Sequence, residues 1–557
     1  MANQIAADRQ ARAVGTQVAG MVPNVEQEAI LAAAAEEGLK VLVVAAGAGT
    51  GKTATLKMLE QTLRGSIQYT AFNSSLVAES KAKFVKANCN TTHSLAFGAV
   101  GRLYKHRLGG ERMTSAQVAK ILDIEPLSIT IKGAGAPDSE GKPTNKIKVL
   151  QPSLLAGQVT VAVRQFCQSA DREIETKHFK RVDGIGQDNN NHLQAHLLSI
   201  AHKAWTDLTS VDGTLPFSHD VYVKLWQLGE GENKPIIQAA NILLDEAQDT
   251  APVFLDVIKQ QTHALLIMVG DDNQSIYEWR GAVNAMTSFK GAQRLMLSQS
   301  YRFGQAVADV ANAVLRTLDE PTELVMRGLP SIKSKVEGVA NPKCYLYRTN
   351  AGAVSCIMTA IEEKKKPHLV GGGDDIAKWC QAALDLKAGR GTRHPELCCF
   401  DTWKEVVEYS KTDEGDDLKL MVKLIEKFGA AKIKASMDNM PDEVTADLVV
   451  CTAHKSKGRE WDTVKLGADF PPANRMVDSD RRLLYVAATR AKLILDITEC
   501  TPFCGSYQQR GDDTVWVPGI PIEYTKLEET EQVEMPPEPK AEESQPIPRP
   551  ATARSVK

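Results

Sequence analysis

Short runs of apolar residues punctuate the chain at 40–46, 241–244, 265–269, 448–452, 463–466 and 493–497. Each is too short for a buried helix and lacks the strict alternation of a half-wet strand, so each reads as a strand buried on both faces of a parallel sheet. Between them the period lengthens to that of helices, as at 54–63 and 305–318. Strands alternating with helices imply α/β architecture. The runs fall into two sets, before and after about residue 300, which predicts two tandem α/β domains. Residues 104–229 interrupt the first set as a mostly helical insertion, with loop-like pieces at 133–145 and 184–191. A shorter helical insertion, 371–438, interrupts the second. No short-period repeat is present.

Length agrees with this division, because 557 residues exceed what one core of about 250–300 residues can serve. Sixty-six Lys and Arg against 69 Asp and Glu leave a net charge of −3, which excludes a polybasic protein but not a local basic groove. The first 20 residues lack the apolar stretch of a secretory signal, and nowhere do ~18 apolar residues run together. Ten cysteines are too few for a disulfide scaffold. The adjacent Cys398 and Cys399, and Cys500 with Cys504, lack metal-ligand spacing and read as free thiols. The chain reads as intracellular. Residues 526–557 carry seven acids, five bases and six prolines without an aromatic residue, the composition of a flexible tail.

The first chemistry stands where the 40–46 run ends. Ala46-Gly47-Ala48-Gly49-Thr50-Gly51-Lys52-Thr53 is a P-loop between a strand and a helix. Ala46 replaces the usual first glycine, which requires only negative φ there. The amides of Ala48, Gly49, Thr50 and Gly51 can curl around phosphate oxygens at a helix N-terminus. Lys52 can reach the terminal phosphates, and the Thr53 hydroxyl can ligate Mg²⁺. The 241–244 run delivers two carboxylates, Asp245 and Glu246, at the C-terminal end of its strand, where α/β sheets bind ligands. Asp245 is expected to hold Mg²⁺ and Glu246 to activate the attacking water. ATP and Mg²⁺ are the expected cofactors.

Further strings discriminate among P-loop proteins. Residues 269–282 read VGDDNQSIYEWRGA, 300–302 SYR, 454–460 HKSKGRE and 484–491 LYVAATRA. Earlier come 23–27 PNVEQ, Phe72-Asn73 and Thr92-His93-Ser94, and later 347–351 YRTNA. In order and spacing these resemble the motifs of superfamily 1 helicases of the UvrD/Rep/PcrA group, over about residues 23–497. Within that group the chain most resembles the F-box DNA helicases, through 452–464, 92–96 and the 224–228 KLWQL stretch. Only about 22 residues precede the PNVEQ segment, so no F-box and no ubiquitin-ligase role are expected.

The resemblance implies two RecA-like P-loop domains: 1–103 and 230–298 forming the first, with 104–229 inserted; 299–370 and 439–505 forming the second, with 371–438 inserted; and 506–557 as an extension. It implies that Gln27 and Tyr301 hold adenine, Glu460 contacts the nucleotide, and Gln274, Arg302 and Arg490 sense or stabilise the γ-phosphate. Arginine fingers are worth about 10³–10⁵ in rate. Phe72, Tyr277 and Trp279 would stack on bases, and Asn73, His93, Arg280 and His454 would hold the backbone of single-stranded DNA. The implied activity is ATP-dependent 3′→5′ translocation and duplex unwinding in repair, recombination or replication, by a monomer without a membrane partner. The expected location is cytoplasmic, associated with the nucleoid, if the source is prokaryotic or viral, and nuclear if it is eukaryotic. Alternatives are a translocase that clears recombinase filaments and unwinds weakly, and a non-motor NTP-binding regulator. Two features depart from the group: Ser479-Asp480 stand where paired acids are usual, and the second insertion is short. The 67 residues after Arg490 are too few for a nuclease domain.

Overall fold

The computed structural model describes residues 18–71, 74–110, 113–135, 144–277, 281–320, 322–412, 415–510 and 513–525. Two six-stranded parallel sheets organise it. Across the first the order is Asn88–Thr91, Ile67–Ala71, Asn241–Asp245, Leu265–Gly270, Val41–Ala46 and Gln293–Leu297. Across the second it is Pro367–Leu369, Leu448–Thr452, Cys344–Tyr347, Trp461–Leu466, Ala491–Asp496 and Lys335–Val336. Every expected apolar run is a sheet strand, its ends matching or shifted by no more than two residues.

The apolar runs are continuous because both faces of each sheet are covered. Leu42, Val44 and Ala46 face helices Val25–Ala34 and Lys52–Thr62, together with Leu243, Ile267 and Val269. The alternate residues Val43, Ile242, Leu244, Leu266 and Met268 face the opposite side and join the core of the first insertion without a break. In the second sheet Leu346, Val464, Leu466 and Leu495 pack on helices Gln305–Leu315 and Asp478–Ala488. Leu448 and Val450 pack with the insertion helices Asp374–Lys387, Trp403–Tyr409, Asp416–Phe428 and Ala430–Asp438.

The first insertion is less helical than expected. Helices Pro152–Gln168 and Gln187–Thr209 dominate it, but an antiparallel hairpin pairs Leu127–Gly135 with Thr144–Leu150. Both expected loops are shorter than expected, since strand occupies the ends of 133–145 and helix begins at Gln187. Ile129 and Leu150 on the hairpin are buried and anchor the ribbon. The hairpin also meets the second insertion. Lys146 lies 2.7 Å from Asp401 and 3.0 Å from Glu405, and Lys148 lies 2.6 Å from Asp401.

Among the described residues no helix is long and apolar enough to cross a membrane. The ten cysteines are free thiols. The tail expected to be flexible, 526–557, lies outside the described residues.

Candidate nucleotide and DNA site

The site grows from the end of strand Val41–Ala46. Gly49 and Gly51 have φ of 72° and 81°, the left-handed region that bars most side chains. A Cβ at Gly49 would lie 2.6 Å from the Arg302 Cβ, so glycine is required by contact as well as by conformation. Thr50 Oγ1 donates to the Gly47 carbonyl at 2.9 Å and closes the loop. Helix Lys52–Thr62 follows, its first-turn amides open toward the loop.

Three carboxylates surround the Lys52 ammonium. It lies 2.8 Å from Glu246 Oε1. Burial alone would lower its pKa, but Glu246, Asp245 and Asp271 outweigh burial and hold it above the usual lysine value. Burial, then the adjacent Glu246 charge, raises Asp245, which accepts from the Tyr69 hydroxyl at 2.8 Å. Burial works on Glu246 in the same sense, but Lys52 and Lys457 outweigh it and hold Glu246 well below the usual range. Burial pushes Asp271 up to about 6, against Lys52 and its hydrogen bonds. Glu246 itself has φ of 50°, a strained setting for a side chain with a Cβ. Hard oxygen donors in excess over one ammonium suit a divalent cation. Among the described residues no three carboxylate, imidazole or thiolate ligands form a ready cage. Mg²⁺ in particular usually binds through one or two carboxylates and substrate phosphates.

The second half closes over this end of the first sheet. Tyr301 N–H donates to the Gly49 carbonyl at 2.8 Å, and Ser300 Oγ donates to the Ala48 carbonyl at 2.9 Å. Arg302 donates to Glu460 at 2.6 Å and to the Thr489 carbonyl at 3.2 Å. Arg490 is 1% exposed and donates to the Val486 carbonyl at 2.8 Å and to Gln274 Oε1 at 3.4 Å. Burial, and then Arg302, draw its pKa down to about 9, so it remains charged at neutral pH. Gln274 in turn donates to Asp271 at 2.7 Å. Gln274, Arg302 and Arg490 line one cavity of about 780 Å³, which runs from Gly49 and Lys52 past Glu246 to His93 and Asp220.

On the other flank of the P-loop, the half-exposed Tyr301 ring lies against Gly51, and its hydroxyl accepts from Asn24 Nδ2 at 3.1 Å. Gln27 is buried beside it. Its Oε1 accepts from the Asn24 amide at 3.0 Å, completing a capping box, and its Nε2 donates to Thr55 at 3.1 Å. Toward the proposed DNA face, the Tyr277 hydroxyl donates to the His454 carbonyl at 3.3 Å. His93 lies 3.1 Å from Asp220, so its ring has a carboxylate as well as solvent. Phe72, Asn73, Trp279 and Arg280 lie outside the described residues.

Several participants were quoted in the strings above without a role. Tyr485, fully buried on helix Asp478–Ala488, accepts from the Ala48 amide and donates to Asp271, both at 3.1 Å. The Ala48 N–H is therefore spent on the second half in this arrangement. Asp480 grips Arg348 at 2.7 Å and Asp478 grips Arg481 at 2.6 Å, so acids spaced by two stand where a pair is usual. Polar residues inside a strong motif, with no apolar reason to be buried, were the available signal.

Comparison with known proteins agrees with this geometry. The UvrD/REP helicase N-terminal domain matches residues 24–291, and the UvrD-like helicase C-terminal domain matches 447–495. The F-box DNA helicase protein 1 of Schizosaccharomyces pombe is 28% identical over 510 residues, covering 82% of this chain and 56% of that protein. The F-box DNA helicase 1 of Gallus gallus is 28% identical over 524 residues, covering 84% of this chain and 48% of that one. DNA helicase II of Escherichia coli is 37% identical over 97 residues, covering 15% of this chain and 13% of that protein. The chain thus spans about half the length of the first two relatives. With one domain match on each sheet-bearing half, the chain belongs to the UvrD/Rep helicase family.

Proposed function

We propose that this protein is a DNA-dependent ATPase that moves 3′→5′ along single-stranded DNA and unwinds duplex. The carrying observation is that Arg302 and Arg490 of the second half enter the same cavity as Lys52, Asp245 and Glu246 of the first. Asp245 lines it, and Thr53 follows Lys52 on the same helix turn; these two would hold Mg²⁺, which supplies charge neutralisation of the phosphates when bound.

The chain's own residues do the rest. The amides of Gly49, Thr50 and Gly51 cradle phosphate, with that of Ala48 once Tyr485 releases it. Lys52 exchanges Glu246 for a phosphate oxygen. Glu246, freed of that partner, orients and deprotonates the attacking water. Gln274 reports the γ-phosphate to Asp271 and Arg490. The two arginines balance charge on the transferred group, and Arg302 trades its bond to Glu460 for it. Glu460 is then available to the nucleotide sugar. Tyr301 stacks on the adenine and Gln27 faces its edge. Because hydrolysis needs groups from both halves, turnover is tied to their closure. Tyr277, Trp279 and Phe72 offer stacking faces, and Asn73, His93, Arg280 and His454 offer backbone contacts, so closure can advance the strand.

The test compares wild type with Lys52→Ala. ATPase is measured with and without single-stranded DNA, and unwinding on partial duplexes with a 3′ or a 5′ overhang. Stimulation by single strands, unwinding from the 3′ overhang and loss of both in Lys52→Ala are expected. A wild type whose turnover ignores DNA is not a motor, and unwinding from the 5′ overhang alone reverses the polarity.

A further inference from the structure

The second half reaches the acidic end of the first sheet through one more cation. Lys457 stands in the turn that follows strand Leu448–Thr452. Its ammonium crosses to the first half, where it donates to Asp249 Oδ2 and, at 2.8 Å, to the Gln274 carbonyl. It also lies 5.3 Å from the centroid of the Tyr277 ring. The two charged side chains are 12% and 10% exposed. Asp249 Oδ1 is buried without a hydrogen-bond partner, so Lys457 makes the one ion pair of that carboxylate among the described residues.

The same turn holds Tyr277 twice. The His454 carbonyl accepts from its hydroxyl, and Lys457 lies over its face. Asp249 closes the short helical turn Ala247–Asp249 that starts at the strained Glu246. One side chain therefore joins three parts of the first half: the ring at the proposed DNA face, the carbonyl of Gln274, and the turn that carries the catalytic carboxylate. We infer that Lys457 is a positioning residue that couples occupancy of Tyr277 by a base to the placement of Glu246 and Gln274. The inference rests on the motor reading above.

The physical reason is the cost of an unpaired buried charge. A base stacking on Tyr277 shifts the ring, and Lys457 and its turn must follow. Lys457 cannot leave Asp249 behind, because a buried carboxylate without its cation is strongly unfavourable. The shift is therefore passed to the 246–249 turn and to Gln274. The coupling is reciprocal, so nucleotide state changes DNA affinity by the factor by which DNA changes nucleotide affinity. Adjacency alone does not establish such a link, and a double-mutant cycle measures it.

The experiment measures ATPase kcat and KM, with and without saturating oligo-dT, for wild type, Lys457→Met, Asp249→Asn, the double variant and Lys457→Arg. Each single neutralisation is expected to lower the DNA-stimulated kcat by about tenfold or more while moving KM for ATP by no more than about threefold. The double variant should be no worse than the poorer single, and Lys457→Arg should keep most of the stimulation. A wild-type ratio of stimulated to DNA-free turnover in Lys457→Met overturns the inference, as does a double variant in which the two losses multiply. Should Lys457→Met fail to fold, Asp249→Asn and Lys457→Arg carry the same comparison. If wild type itself shows no stimulation the motor reading falls, whereas a stimulated wild type with an equally stimulated variant sinks the coupling alone.

Discussion

Arg302 and Arg490 bear the same charge but differ in how much fold depends on them. Arg302 reaches Glu460 near the surface, whereas Arg490 is packed on every side and supplies donors to the Val486 and Arg459 carbonyls and to Gln274. Arg302→Ala should lower ATP turnover by about 10³-fold or more with little change in Tm. Arg490→Ala should lower turnover as much and also destabilise the protein by about 3 kcal/mol, through buried acceptors left without donors. Steady-state ATPase and thermal melts separate the two. Lys224 offers a test away from the site. Fully buried, it donates to the Ser169 carbonyl at 3.1 Å and lies 4.2 Å from the Phe166 ring centroid. Burial lowers its pKa to about 8, so folding disfavours its protonated form. The cost is fully present below about 8 and is relieved as pH rises toward the ordinary value of 10.5. Between pH 8 and 10 the unfolding free energy of wild type should therefore rise relative to that of Lys224→Met, as read by urea titration at several pH values.

Helix Val25–Ala34 is positioned by a cap inside the PNVEQ string, where the sequence marked only an adenine contact. Asn24 and Gln27 form a reciprocal capping box, and the same two residues flank Tyr301 and the P-loop helix. Asn24→Ala should cost about 1 kcal/mol in stability. It should also raise KM for ATP, because Tyr301 loses its hydroxyl partner; urea titration and ATPase assays read the two effects. Other elements were less legible. Strand Ile67–Ala71 reads IQYTA, half polar yet fully buried. It lies inside the sheet because Gln68 donates to the Tyr69 carbonyl of its own strand and to the Asn88 carbonyl, a partner that exists only once the neighbouring strand has docked. Asn88–Thr91, NCNT, carries still less apolar signal. The hairpin of the first insertion hides for the opposite reason. Its lysines, Lys146 and Lys148, turn toward acids of the second insertion, while Ile147 and Val149 face outward. This inverts the polarity that marks a strand. The candidate nucleotide site was the most legible part, since the clustering of Lys52, Asp245 and Glu246 needs only a strand end and a turn. Tyr485 and Lys457 were not, because their partners lie about 180 residues or more away in sequence.

At the scale of the whole molecule, a net charge of −3 is a poor guide to DNA affinity, which depends on where the cations lie. We expect binding to single strands to be salt-sensitive. A plot of log affinity against log salt should have a slope of about −0.7 for each phosphate contacted. An affinity indifferent to salt would argue that no basic groove exists. The insertions add a second molecular-scale contact, the Lys146 and Lys148 pairs with Asp401 and Glu405, which spans from one sheet-bearing half to the other. Such partly exposed pairs contribute little stability, about 0–1 kcal/mol each, and Cys399, buried in the core of the first insertion, adds an apolar contact beside them.

The order of strands in the first sheet also constrains the order in which the chain can fold. Strand Val41–Ala46, which bears the phosphate loop, lies between Leu265–Gly270 and Gln293–Leu297. During synthesis it leaves the ribosome first and waits for neighbours more than 200 residues behind it. Until residue 270 has emerged, an apolar strand with both edges unpaired is present on the nascent chain, and one edge stays open until residue 297, the state most prone to wrong pairing. The insertion can collapse early around its own helices, but the nucleotide site cannot, since parallel pairing at such separation is slow. Truncation anywhere before 297 should therefore yield not a smaller ATP-binding protein but an aggregating one, and the demand for chaperones during synthesis should be concentrated in the first half of the chain.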